Sequence, residues 1–210
     1  TQGTYVGIKG GSLENGVALR HGVSLDNGAY ARAYAKIDQH DGMDTASSSE
    51  AHDAWRQERA GFRVDMAPSA SDKLTVQGDV FEARSQQSVL VMPGPMAAPG
   101  FVPDTARSTG VNLLARWQHE ASAKESWHLQ AFADQTKQAD VVQAHRIDTF
   151  DVEWQHRLPL TSSQDLTWGL GLRSVKQQLD GGYTVSMDPE RVSQLLYSGF
   201  VQDEIQMHED

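Results

Sequence analysis

Apolar and polar residues alternate along most of this chain, in segments set apart by clusters of Gly, Pro, Asn, Asp and Ser. Leu74, Val76, Gly78 and Val80 fall on one face of an extended chain, and Thr75, Gln77 and Asp79 on the other. Val111, Leu113, Ala115 and Trp117 oppose Asn112, Arg116 and Gln118 in the same way. Phe150, Val152, Trp154 and Leu158 oppose Thr149, Asp151, Glu153, Gln155 and Arg157. A helical period would mix these sets on one face. The pattern predicts an all-β antiparallel meander of about ten strands, near 3–10, 15–25, 29–40, 53–67, 73–90, 109–120, 126–138, 146–159, 166–179 and 192–207. Residues 193–206 fit either phase of the alternation.

The connectors alternate as well. Asp26, Asn27 and Gly28 carry a tight hairpin signal, and 67–72, 121–125 and 159–165 read as compact polar turns. Between them lie longer pieces at 41–52, 91–108, 137–146 and 179–190. In an up-and-down sheet, alternate connections share one end. One end is therefore trimmed short and the other carries loops, the asymmetry of outer-membrane barrels. Several segments run longer than the usual five or six residues of a globular strand, and a tilted membrane strand needs roughly 9 to 11. Trp117, Trp127 and Trp168 lie close to short turns on the apolar face, where a membrane interface favours them. Trp55 sits at the long-loop end.

Composition changes this picture little. The chain has no cysteine, a net charge of −10 and 39% hydrophobic residues, with a mean hydropathy of −0.51. No stretch approaches the ~20 apolar residues of a membrane helix, a test that β-barrels escape because only every second residue faces lipid. The acidic balance and scattered Lys and Arg argue against a nucleic-acid partner. Thr1 follows no basic and apolar leader, so an exported chain would be mature or cut from a longer one.

The stretch 55–65 (WRQERAGFRVD) resembles the fourth barrel strand of TonB-dependent outer-membrane receptors. LTVQGD at 74–79, GVNLLARW at 110–117, DTFDVEWQHR at 148–157, WGLGLR at 168–173 and FVQDEI at 200–205 resemble further strands, in order. Thr1 to Ile8 looks like the start of the first barrel strand, just after the plug. The resemblance implies a partial barrel, with 1–210 as the N-terminal portion of the barrel domain. It implies an outer-membrane location in a Gram-negative bacterium and import of a scarce nutrient such as an iron–siderophore complex. The implied partners are the lipid bilayer, a plug domain, the remaining barrel strands and the TonB complex, with an iron chelate or similar small ligand. Neither plug nor energy-coupling box stands in this sequence, and no terminal aromatic closes it after Met207. A piece of this size is expected to leave two unpaired sheet edges.

Candidate chemistry is sparse. Asp38, Asp41 and Asp44 cluster in the first long loop, but without the every-second-position spacing of an EF-hand, and a solvated acidic loop fits them better. The eight histidines are dispersed, with no helical pair and no matched pair on one strand. VMPGPMAAPGFVP at 91–103 reads equally as a ligand-gripping loop or a semi-extended connector. Arg59, Arg63, Asp65, Gln77, Asp79, Arg116, Gln130, Asp151, Glu153, Gln155, Arg157 and Arg173 form a polar set that would line the lumen, against the plug or water. Gly169 and Gly171 read as close packing or a bend. No nucleophile–base arrangement, cofactor motif or metal set emerges, so the expectation is a non-enzyme without cofactors. Ligand contacts are expected in 41–52, 91–108 and 179–191. The alternative is a self-contained ten-strand outer-membrane enzyme, such as a surface protease with Asp or His at its loop rim.

Overall fold

The computed structural model describes residues 2–25, 28–92, 94, 96, 98–182 and 184–207. Its strands are β1 (Gly3–Lys9), β2 (Glu14–Ser24), β3 (Tyr30–His40), β4 (Trp55–Met66), β5 (Asp72–Val91), β6 (Gly100–Glu120), β7 (Ser126–Ala139), β8 (Gln143–Thr161), β9 (Gln164–Gly181) and β10 (Arg191–Ile205). Each pairs antiparallel with its sequence neighbours in one sheet ordered β1 to β10. Among the described residues there is no helix. β1 and β10 stand at opposite edges, unpaired with each other, so the closed ten-strand enzyme barrel is not what this chain forms.

Residues directly opposed in an antiparallel ladder project to the same side. Following that rule, Phe62, Gly78, Leu113, Ala133 and Phe150 share one face. Arg63, Gln77, Leu114, Phe132, Asp151 and Arg173 share the other. Every residue of the expected apolar and polar sets lies on its expected face. On β10 the ladder resolves the phase: Leu195, Tyr197, Gly199 and Val201 join the apolar face, opposite Ser174, Leu172, Leu170 and Trp168. Leu196 and Phe200 lie on the polar face, where Phe200 packs across Gly169 so closely that a Cβ there would sit 2.5 Å from its ring. Close packing is thus the reason for that glycine.

The sheet has almost no core. Ala29 is the single buried apolar residue among those described, whereas Val80, Leu113 and Leu170 are 51%, 48% and 60% exposed. Ladder hydrogen bonds hold the strands, and the apolar face is left for something else to cover.

The apolar stretch also shifts along the ladder. Toward the long-loop end it stops at Val17 on β2 and Ile37 on β3, which share a ladder row with Glu58 and Glu82. It stops one row lower at Val80 and Val111, a further row lower at Phe150, and another at Leu172. Strands tilted to a level apolar layer require such a stagger.

The connections depart from expectation in three places. At the turn end they span 25–29, 67–71, 121–125 and 162–163; at the other end 10–13, 41–54, 92–99, 140–142 and 182–190. The long loop expected at 137–146 is a three-residue turn, because Asp140 Oδ1 accepts from the N–H groups of Val142 (2.8 Å) and Gln143 (3.0 Å). The loop expected at 91–108 shrinks to 92–99, since β6 begins at Gly100 instead of 109. Pro103 lies where β6 has only β5 beside it, a position that loses no ladder bond on its open side. Third, Asp38 belongs to β3, leaving only Asp41 and Asp44 in the acidic loop. Asp26, Asn27, Thr1 and His208 to Asp210 lie outside the described residues, as do Pro93, Pro95 and Ala97 of the 91–103 segment and Tyr183. Beside the first pair, Gly28 has φ +77° and its N–H donates to the Leu25 carbonyl at 3.0 Å, as a tight reversal requires.

Candidate functional site

On the polar face the expected lumen residues meet one another across strands. Arg63 grips Asp65 through two N–H groups at 2.8 Å each and reaches the Gln77 amide oxygen at 3.1 Å. Thr75 donates to the same Asp65 at 2.8 Å. Arg116 donates to Gln130 at 2.8 Å, Arg157 to Asp165 at 2.5 Å, and Arg59 faces Asp79 at 3.8 Å. Arg173 donates to Asp151 at 2.7 Å, and Asp151 is the one buried charged residue among those described. Its burial makes that pair costly to break from one side, because Arg173 removed leaves the buried Asp151 carboxylate without compensation, whereas Arg173 itself is more than half exposed to water. In the other ion pairs the arginines are 38–44% exposed, and such pairs, worth about 0–1 kcal/mol each, exchange readily with another polar surface. Glu153 and Gln155 lie on the same face, with no ion pair or side-chain hydrogen bond among the described residues.

The loop end is knitted together above this wall. The upper six pairs of the β5–β6 hairpin, Gln86–Thr105 to Val91–Gly100, rise beyond the last pairs with β4 and β7. From there the Met92 N–H reaches Thr184 Oγ1 in the β9–β10 connection at 3.4 Å. Asp104 accepts from Gln87 Nε2 (3.0 Å) and from the Val141 N–H (3.2 Å), tying the hairpin to the β7–β8 turn beneath it. Desolvation alone would raise the Asp104 pKa, but these donors hold it below its ordinary value. Loop 41–54 folds on itself: Met43 N–H donates to Asp53 at 2.8 Å, and the Thr45 and Ser49 hydroxyls meet at 2.6 Å. Trp55 stacks on His40 at its base, with ring centroids 6.2 Å apart, on the polar face. The three loop segments expected to contact ligand therefore do cluster at one end. Asp104 and Thr184, which join them, were not singled out by the alternation, since one sits in a stretch read as loop and the other carries no charge.

At the opposite end the apolar face ends in aromatics. Trp127 packs against Trp117 (4.7 Å, edge-on) and Trp154 (4.8 Å, stacked), and His156 against Trp168 (5.9 Å). Trp154 extends the expected girdle. Trp117 Nε1 donates to Asp72 at 2.9 Å, and His119 Nδ1 lies 2.8 Å from the same carboxylate. Asp72 lies beyond the girdle at the turn. Hydrogen bonds from Ser69, His119 and Trp117 lower its pKa from 3.8 to about 2.

Asp38 pairs with Lys36 at 2.8 Å and Asp41 accepts from Asn15 at 3.5 Å. Among the described residues no three His, Cys, Asp or Glu side chains converge on a metal-sized point.

No protein-family model and no curated protein matches the sequence. Solved structures do. The siderophore receptor PirA from Pseudomonas aeruginosa superposes with a TM-score of 0.64 at 12% identity, over 93% of this chain and 31% of its own. The fold is that of an outer-membrane receptor barrel. The RagAB peptide importer gives a TM-score of 0.52 at 9% identity, over 92% of this chain. This barrel wall thus spans about a third of the receptor's length, 31%, and 30% of the importer's. The resemblance to TonB-dependent receptors expected from the strand motifs is returned by the solved structures at the level of fold.

Proposed function

We propose that the chain is the first part of the barrel wall of an outer-membrane nutrient importer of the TonB-dependent type. The observation that carries this reading is the uncovered apolar face: a ten-strand sheet with Val80, Leu113 and Leu170 about half exposed has lipid as its natural cover. The polar face then looks into the lumen. Its exchangeable Arg–Asp and Arg–Gln contacts suit a plug that must shift when the TonB complex pulls on it. Incoming solute meets 41–54, 92–99 and 182–190 first, so these segments select it. One similar structure is a siderophore receptor and another a peptide importer, so iron chelates and peptides head the cargo classes to be tried.

The test uses the full-length protein in the outer membrane of a host strain. Uptake of labelled ferric siderophores and of peptides is followed with and without the proton gradient that drives TonB. Gradient-dependent uptake of either class supports the importer. Protein that stays in the aqueous fraction, or that turns over a peptide or lipid without transport, would overturn it.

A further inference from the structure

The connections at the loop end are lopsided in composition. Four of the chain's six methionines stand there, Met43 in 41–54, Met92 and Met96 in 92–99, and Met187 in 182–190, while the turn-end connections carry none. Met43, Met92 and Met187 are about half exposed and Met96 almost wholly so. They lie beyond the strand ends, above the apolar stretch, where lipid does not cover them. Apolar side chains held in water at an entrance mark a contact surface. Methionine suits one that meets varied shapes, because its unbranched, polarizable side chain turns about three bonds.

The spread of these residues says how large the occupant is. The Met92–Thr184 hydrogen bond joins 92–99 to 182–190, so Met92 and Met187 sit on connected segments. Met43 stands apart from them, in the loop that Asp53 folds at the top of β4. β4 and β9 are five strands apart in the sheet, about 24 Å along it. An extended peptide of about seven residues has that reach. A single soft metal ion, the other partner that thioethers favour, does not.

Charge says which peptide. The same connections hold four acids in 41–54, one in 140–142 and two in 182–190, with no lysine or arginine. Among the described residues none of these acids pairs with a lysine or arginine, and Glu50 has only His52, 3.8 Å away. On the polar face just beneath, Lys9 and Lys36 are already paired, with Glu14 and Asp38. Asp104 adds a carboxylate held by Gln87 and the Val141 N–H, without a cation. Arg84, Arg107 and Arg146 stand on the apolar face and point away from the lumen. Incoming solute therefore meets uncompensated negative charge, which draws cations in and repels anionic chelates.

We infer that the loop end captures short peptides carrying both positive charge and apolar side chains, in preference to anionic iron chelates. The inference rests on the importer reading above and narrows its cargo.

The full-length protein is placed in zwitterionic lipid nanodiscs, with empty nanodiscs as the blank. Fluorescence anisotropy follows labelled heptapeptides of Lys and Leu, of Glu and Leu, and of Lys and Ser, with a ferric tris-catecholate as competitor. The Lys–Leu peptide should bind about tenfold or more tighter than either other peptide, and the tris-catecholate should not displace it. D44N/E50Q/E190Q should weaken it about tenfold, at about two- to threefold per charge, and flatten its salt dependence. M43S/M92S/M187S should also weaken it about tenfold. M43L/M92L/M187L should recover most of that loss, since leucine returns apolar surface without the sulfur. Heat-resistant migration on gels checks that each variant is folded. Tighter binding of the Glu–Leu peptide or of the tris-catecholate would overturn this inference alone. So would a leucine variant as weak as the serine one with silver ion displacing the peptide, which would mark a soft-metal site. Absence of peptide binding in protein that still takes up another solute on the proton gradient would do the same. Absence of gradient-driven uptake of any solute would overturn the importer reading with it.

Discussion

Single side chains on the apolar face show what a charge should cost at a given depth. Leu113 and Leu170 each lie one position on that face below the last apolar residue of their strands, Val111 and Leu172, so in a level layer they share a depth although their ladder rows differ. Leu113→Arg and Leu170→Arg should therefore each cost about 2–4 kcal/mol on refolding into lipid. Clearly unequal costs in a vesicle-refolding titration would contradict the level layer. Asp72 gives a pH dependence of definite sign. Its carboxyl is held down at about 2 against an ordinary 3.8, so its contribution is complete above 3.8 and fades as pH falls toward 2. Because Trp117 donates to it, tryptophan fluorescence should change across that window, and Asp72→Asn should abolish the change. At this scale the sequence was most legible. Alternation has a period of two, so it fixes each side chain's face without any knowledge of partners. What it missed were contacts between faces of different strands, such as Trp154 on Trp127, whose residues lie far apart in the chain.

Whole strands were legible where both neighbours run alongside, and less so where a strand outgrows its neighbours. β5 and β6 continue as a free-standing hairpin above β4 and β7, and there Pro103 mimics a loop. The β7–β8 connection failed in the opposite sense: one Asx turn at Asp140 reverses the chain in three residues where a polar run suggested a loop. The hairpin's tip leans over this short turn to reach Thr184, which makes it the natural lip of the barrel mouth. Deleting 94–99 from the full-length protein should weaken capture of its ligand while leaving the barrel folded, measured as ligand affinity against heat-resistant migration on gels. Taking Gly100 as well would cut the Val91–Gly100 pair, so 94–100 is a harsher deletion than it looks. Unchanged affinity after the shorter deletion would remove the hairpin from ligand recognition.

At the scale of the molecule, two strand edges remain open. β10 offers a fully exposed 15-residue strand, and β1 a seven-residue one. Such edges template pairing with other chains, so the 210-residue chain alone should associate in detergent, read by analytical ultracentrifugation. A stable monomer would mean that something in the chain itself guards its edges. The oblique run of the apolar stretch across the ladder has a consequence of its own. A slip of one residue between neighbouring strands turns every side chain to the wrong face and is rejected at once. A slip of two keeps the faces right and moves the strand by roughly 7 Å, so alternation is blind to it. Height along the strand must be read from something else. A tryptophan would be dragged into the oily middle, or an arginine or lysine (Arg107, Lys137, Arg146, Lys176) lowered into it, and either displacement is costly. From β6 to β9 each strand carries such a mark at both borders, as a measuring cylinder carries its graduations.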